Sequence, residues 1–448
     1  MTTPLHTLRK SKNFTNMITA NRKLVAFLSV LTLLFAGSVV VANAAVKQGA
    51  KCTKAGKIQT LNGKTFTCLK SGNRLSWVRN TVSNNTNVPS IVDLSQSSSI
   101  TPVADLTPIE ICKTIDLTSR GVGTNGFPRP ANLANGKSEV KILVLPIIFE
   151  EIPFTDTDLS KLQNALKQTS DFYAKASYNR IKLTFDIPAK NLWVKLKTTA
   201  KDYGILPNKP QQNNEIIVKD TFLLADPQID FSKYDSVVIE SGYSALTSVG
   251  QGFGGQVFST KTGNINGATL EIGQATGSAN IIAHELGHSI YGLEDLYVFL
   301  NSQRPSVPEP VPGGRWDVMS DASSLNEFFG WNKLLMGWIK DEEVRCVQNQ
   351  SSSTHYLSDF SSSLGTKLLL INLKPGVTIA MESRNNYSSG QGLLVYKIDT
   401  NINHGDGPIT AEKLLLRKGE KRTMDNWNIE LIDNSSKGLL VKVIKLAP

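Results

Sequence analysis

Residues 284–297 read HELGHSIYGLEDLY, and the two histidines four positions apart decide how the rest of the chain is read. An α-helix repeats every 3.6 residues, so His284 and His288 fall on one face, one turn apart, where two imidazoles can share one metal ion. Glu285 projects from the same turn, close enough to act on a water beside that ion. This is the H-E-x-x-H arrangement of zinc-dependent hydrolases. The plain alternative is a helix that carries two histidines and an acid by chance. The flanks speak against chance. Ser278 stands where a helix cap belongs, residues 279–283 are mostly small or apolar, and Gly292 offers a place to stop and turn. A catalytic zinc takes three protein ligands and keeps a position open. The third is expected just past Gly292, from either Glu294 or Asp295, because neighbouring side chains point apart. The other three histidines, His6, His355 and His404, are remote in sequence, so a carboxylate is the simplest choice.

HELGH followed by GLEDLY resembles the secreted metalloproteases related to immune inhibitor A, whose motif reads H-E-x-G-H-x-L-G-L-P-D-L-Y. In that pattern the Asp after the Gly turn is the third zinc ligand, which corresponds to Asp295. This chain has one more residue between His288 and Gly292, so counting from His284 favours Glu294 and counting from Gly292 favours Asp295. Asp295 is expected, because the whole GLxDLY block moves with the glycine. The resemblance covers roughly residues 138–400. It takes in the apolar run VKILVLPIIF (140–149), a helical period over 162–173, and SYNRIKLTFDI (177–187) with Asn179 where Gly is usual. Trp193 and the run 202–204 echo it more loosely. GRWDVMS (314–320), FFGWNKLLMGWI (328–339), Glu382-Ser383-Arg384 and GQGLLVYKIDT (390–400) follow in the family's order.

The resemblance implies an α+β fold: a zincin-like catalytic domain built on an active-site helix, here placed at 109–340. Short strand candidates at 367–372, 377–382, 393–398, 427–432 and 439–444 predict a small β-sandwich-like domain over 341–448, packed on the catalytic domain. The implied activity is zinc-dependent endopeptidase. His284, His288 and Asp295 hold one catalytic ion, and Glu285 is the general base. Met319 reads equally as a floor beneath the ligands or as core. Asp317 is read as a turn cap, with a structural calcium as the alternative. Trp331 and Trp338, seven apart on an expected helix, read as core, and His404 reads as a surface histidine rather than a stabiliser of the transition state.

The N-terminus carries Arg9, Lys10, Lys12, Arg22 and Lys23, then eighteen uncharged residues (24–41) and Ala42-Asn43-Ala44. That is the pattern of a cleaved signal peptide over 1–44, against an uncleaved membrane anchor. Export permits disulfides, and the four cysteines are even in number. Residues 45–79 read as a small β module with strands at 64–68 and 75–78, a turn at Asn62-Gly63, and a Cys52–Cys68 staple. It resembles small Cys-Thr-Lys-x-Gly modules of exported actinobacterial proteins. Cys112 and Cys346 are left to pair; the rival is Cys112 capping the zinc in a latent precursor. Residues 80–108 read as a flexible linker rich in Ser, Thr and Asn.

The net charge is +10, and the five basic residues of the leader reduce it to +5. Residues 45–79 hold eight basic residues and no acids, which leaves −3 for the rest. The basic character therefore belongs to the module, and an anionic cell-envelope polymer is its expected partner. The expectation is thus a monomeric protease, secreted and extracellular or cell-wall associated, acting on protein or peptide substrates. Nucleic acid is excluded for want of a recognition motif, and a membrane role after signal cleavage is not expected. Cell-wall peptides are the alternative substrate. The alternative from another class is a catalytically idle surface-binding protein that retains a structural metal, against which Glu285 stands.

Overall fold

The computed structural model describes residues 47, 50–61, 64–71, 74–79, 93–118, 124–205, 214–245, 248–299, 302, 310–386 and 390–447. The expected signal peptide lies outside them, as do the turn at Asn62-Gly63 and residues 80–92 of the expected linker. The chain divides into two compact units between Val88 and Pro89. The first holds a three-stranded antiparallel sheet of β1 (Ile58–Leu61), β2 (Lys64–Ser71) and β3 (Arg74–Arg79). Among the described residues its core is Cys52, Phe66, Cys68 and Trp77, and the Cys52–Cys68 disulfide closes it. So small a core needs such a staple.

The second unit opens with residues 93–108, which close the stretch expected to be a linker. They are packed rather than free: Leu94 is buried, Thr101 donates its N–H to Thr354 O at 2.9 Å, and Thr107 donates to Cys346 O at 3.2 Å. A short helix α1 (Ile109–Cys112) follows. Next come β4 (Glu139–Ile148), α2 (Asp156–Ala176), β5 (Lys182–Asp186), β6 (Val194–Lys195), α3 (Asn214–Ala225), β7 (Ser236–Glu240) and β8 (Ser248–Gly252). The hairpin β9 (Val257–Ser259) and β10 (Asn264–Asn266) leads to β11 (Ala268–Gly273) and α4 (Ala279–Tyr291). The main sheet runs β5-β4-β7-β11-β8, with β6 also paired to β4. Its strands are parallel except β8, which lies antiparallel to β11 at the edge.

Both faces of this sheet are covered, which is why β4 reads as an almost unbroken apolar run. Val140, Ile142 and Val144 face α2 and α4, and Leu143, Leu145 and Ile147 face α3. The start of α2 is set by a capping box between Thr155 and Asp158. Just past its end, Tyr178 and Asn179 adopt φ of 60°. Asn tolerates the left-handed region better than most residues, which suits the position where Gly was expected.

After α5 (Gly330–Leu335) and one 3-10 turn (Asp341–Glu343) the described elements are strands: β12 (Val344–Val347), β13 (Ser352–Ser358), β14 (Leu368–Lys374), β15 (Val377–Asn386), β16 (Gly390–Asp399), β17 (Ile409–Ala411), β18 (Lys421–Met424), β19 (Trp427–Ser435) and β20 (Gly438–Lys445). A five-stranded sheet, β12-β14-β15-β16-β17, faces a four-stranded one, β13-β20-β19-β18. Their facing residues, among them Leu369, Ile379, Met381, Trp427 and Val441, form one core. The other face of the five-stranded sheet, with Leu368, Leu370, Ala380, Leu394 and Tyr396, belongs to the same core as α2 and α4. The sandwich is therefore built into the second unit and shares its interior. Glu382 reinforces the join: it accepts the Gly330 N–H at 2.5 Å and the Tyr396 hydroxyl at 3.1 Å, and pairs with Arg384 at 2.6 Å. The Cys112–Cys346 disulfide ties α1 to β12, so Cys112 is not a free thiol.

Candidate metal centre

Helix α4 lies across β11 and β8 at a distance only glycine allows. A Cβ on Gly252 would stand 2.5 Å from the backbone oxygen of Glu285 and from His288 Cβ. One on Gly250 would stand 2.8 Å from Glu285 Oε1. On the opposite side α2 holds the helix by its carbonyls, through the Tyr173 hydroxyl to Ala283 O at 2.8 Å and the Thr169 hydroxyl to Ala279 O at 3.1 Å. Ser278 occupies the N-cap position, but its hydroxyl bonds Asn280 Oδ1 rather than the helix N–H groups. At the other end Gly292 turns the chain in the left-handed conformation, φ 59° and ψ 38°.

The Ile290, Tyr291 and Gly292 carbonyls at the helix end are answered from one segment, as an end buried away from water requires. Ala134 N–H reaches Ile290 O at 2.8 Å, and Thr124 N–H reaches Gly292 O at 2.9 Å. Arg129 donates to Tyr291 O at 2.5 Å and to Gly292 O at 3.2 Å, a cation set at the negative end of the helix. Burial lowers the Arg129 pKa to about 10, opposed by the nearby Glu294 and Asp116 carboxylates.

Three electron-pair donors meet beyond this turn. His284 Nε2 and His288 Nε2 are 3.1 Å apart, and Asp295 Oδ1 lies 3.0 Å from the first and 3.2 Å from the second. Both Nδ1 atoms are taken by carbonyls, Val318 O at 2.9 Å and Leu293 O at 2.7 Å, which leaves the Nε2 lone pairs facing inward. Three such atoms at this separation repel unless a cation lies among them. Their proton affinities say the same. Burial would lower both histidine pKa values, but the Asp295 and Glu285 carboxylates together outweigh it, raising His284 to about 9 and raising His288 as well. Burial alone would raise the Asp295 pKa, yet the two imidazoles hold it well below the usual carboxylate range. Two imidazoles and a carboxylate oxygen form a donor set that suits zinc.

Glu285 belongs to the same cluster, its carboxylate within 4.8 Å of both imidazoles. Burial raises its pKa, tempered by His284 and His288 and by a hydrogen bond from the Gly252 N–H. Glu294 goes elsewhere. It is buried beside Arg129 and Asp116, its Oε2 has no hydrogen-bond partner, and burial lifts its pKa to about 8. The added residue in the 288–292 interval is thus absorbed by the helix, which runs on to Tyr291 before Gly292 turns it.

The segment after the motif supplies the floor. Met319 is fully buried against Gly287, where a Cβ would stand 2.5 Å from its sulfur, so it is core and also lies beneath the turn that carries His284 and His288. Asp317 caps this turn, as expected. It accepts the Met319 N–H at 2.7 Å, the Phe329 N–H at 2.5 Å and the Asn332 amide at 2.8 Å. Trp331 and Trp338 are both core, although the helix expected over 328–339 is only α5 and Trp338 lies beyond it.

His404 was expected to be a surface histidine and it is exposed, but it also borders the cluster. Its side chain is 41% exposed, yet its Nε2 lies 3.5 Å from Asp295 Oδ2 and its ring 6.3 Å from that of His288. Tyr297 also reaches the Asp295 carboxylate. Sequence reading missed Arg129 and the paired glycines 250 and 252. The GxG spacing on a strand before the motif was the one available signal for the latter. No family model matches this chain, and no curated protein matches it.

Proposed function

We propose that this chain is a secreted zinc-dependent endopeptidase with a zincin-like catalytic region. The observation that carries the reading is the meeting of His284 Nε2, His288 Nε2 and Asp295 Oδ1 within 3.2 Å of one another, with Glu285 buried alongside. Those three residues would hold the ion, which supplies Lewis-acid chemistry, polarising a peptide carbonyl and acidifying a water. Glu285 takes the proton of the attacking water and passes it to the departing amine. Its burial raises its proton affinity, as suits a base, and the Gly252 N–H fixes its direction. Strand β8 favours a peptide substrate over a small one. Among the described residues it pairs only with β11, so its outer edge is open to an extended chain laid beside α4. The motif resemblance to secreted metalloproteases related to immune inhibitor A supports the same reading.

Export agrees with two disulfides, and no helix among the described residues is long and apolar enough to cross a membrane. The small module, with Lys51, Lys54, Lys57, Lys70 and Arg74 exposed, is the part proposed to hold anionic cell-envelope polymer. Salt-sensitive retention of the protein on purified cell walls would bear this out, and absent or salt-insensitive retention would count against it.

The deciding experiment is hydrolysis of a generic protein substrate by the purified chain, with zinc quantified, beside Glu285→Ala. Activity with about one zinc per chain, lost with chelator and in the variant, is expected. A folded chain without zinc would overturn the reading.

A further inference from the structure

The C-terminal sheet sends one loop, between β16 and β17, to the metal centre, and that loop carries His404. We propose that His404 is a positioning residue for the third ligand: its imidazole grips Asp295 at two points, so that Oδ1 faces the two histidines. The inference rests on the zinc reading above.

The Asp295 N–H donates to His404 Nδ1 at 3.3 Å. With Nδ1 accepting, the ring proton of the neutral imidazole sits on Nε2, and that nitrogen lies 3.5 Å from Asp295 Oδ2. One ring thereby spans the backbone and the outer carboxylate oxygen of a single residue. A carboxylate has two equivalent oxygens and a soft terminal torsion, so nothing within Asp295 decides which oxygen it presents. A donor on Oδ2 decides it, as partners behind metal ligands commonly do. Tyr297 reaches the same carboxylate from its own position two residues on.

The loop is held in place for this. Phe299 N–H bonds Gly405 O at 2.8 Å, Val298 forms a β-bridge with Asp406, and the Ser302 hydroxyl donates to Asp406 Oδ1 at 2.5 Å. Gly405 passes under Phe299, where a Cβ would stand 2.2 Å from the ring, and that ring meets His404 edge-on at 5.0 Å. These contacts join the loop to the residues directly after Asp295, so ligand and clamp are set in register together. Metal binding then depends on a residue of the C-terminal sheet.

Zinc affinity measured by competition with a chromogenic chelator, together with the visible spectrum of the cobalt-loaded chain, tests this. The comparison is the full chain with His404→Ala and His404→Gln. The Ala variant is expected to lose about 10- to 100-fold in zinc affinity and to change the cobalt spectrum, with the unfolding midpoint of the metal-free chain unmoved. The Gln variant, whose amide can donate toward Oδ2, should recover part of the loss, and it also serves if the Ala variant does not fold. Affinity within about twofold of the parent, with an unchanged cobalt spectrum, would overturn the inference while leaving the zinc reading standing. A parent chain that binds neither ion would overturn both. Because neither readout needs turnover, a parent that binds zinc without hydrolysing protein still decides the inference.

Discussion

At the residue scale, Glu294 and Asp295 show how two adjacent acids are given opposite tasks. The turn after Gly292 sends Asp295 to the imidazoles and Glu294 to Arg129. Asp295→Ala should therefore release zinc, whereas Glu294→Ala should keep it; metal analysis of the two purified variants decides, and the reverse pattern would refute the assignment. Gly252→Ala is expected to cost about 1–3 kcal/mol by forcing α4 off the sheet, because the new Cβ meets backbone and His288 Cβ at 2.5 Å. Chemical denaturation would report that cost. His355 gives a pH dependence remote from the site. Burial, helped by Arg345, lowers its pKa from 6.5 to about 4, so the folded chain binds fewer protons than the unfolded one between those values. Stability should fall as pH drops through that window, by up to about 3 kcal/mol. The thermal midpoint of His355→Gln should show a shallower fall over the same range.

At the element scale, α4 is defined by what answers its ends. Its N-terminus has no side-chain cap, while its C-terminus is closed by Gly292, two backbone N–H groups and Arg129. Arg129→Ala would leave the Tyr291 carbonyl without its donor and Glu294 buried beside Asp116 without a cation. Leaving a buried acceptor without its donor typically costs about 1–3 kcal/mol. Denaturant unfolding of the metal-free variant should show a loss of that order, and a stability within experimental error of the parent would refute the capping role. The short α5 is another case. FFGWNKLLMGWI has the period of a three-turn helix, but Gly337 turns left-handed at φ 74° and ends it. Trp338 still reaches the core, where its ring meets Tyr173, Tyr291 and Phe328.

At the scale of the whole molecule, the five-stranded sheet is buried on both faces, one toward its sandwich partner and one toward α2 and α4. A chain ending at residue 340 would lose that sheet together with His404, and would expose the core side of α2 and α4 that the sheet covers. It is expected to be insoluble or molten, seen as loss of near-ultraviolet circular dichroism, and a well-folded truncated chain would contradict the shared core. The Cys112–Cys346 bridge closes a loop with a sequence separation of 234 residues. The Cys112→Ala/Cys346→Ala pair should lose about 2–5 kcal/mol of stability, measurable by denaturant unfolding.

What the sequence settled alone was local. Two histidines at helical spacing, a glycine stop and a carboxylate after it define ligand chemistry without knowledge of distant neighbours. Strands such as β14, β15, β16, β19 and β20 lie close to where alternating or continuous apolar runs put them. Strands β12, β13, β17 and β18 were not legible, being short or mixed in polarity and specified by the partners they pair with. Only the tertiary structure could decide which acid faces the two histidines, that Arg129 closes the helix, that residues 93–108 pack on a sheet, and that His404 lies against Asp295. That last contact joins residues 109 apart in sequence. Periodicity carries no information about such a pairing, because it is set by sheet register and loop closure rather than by the residues on either side of it.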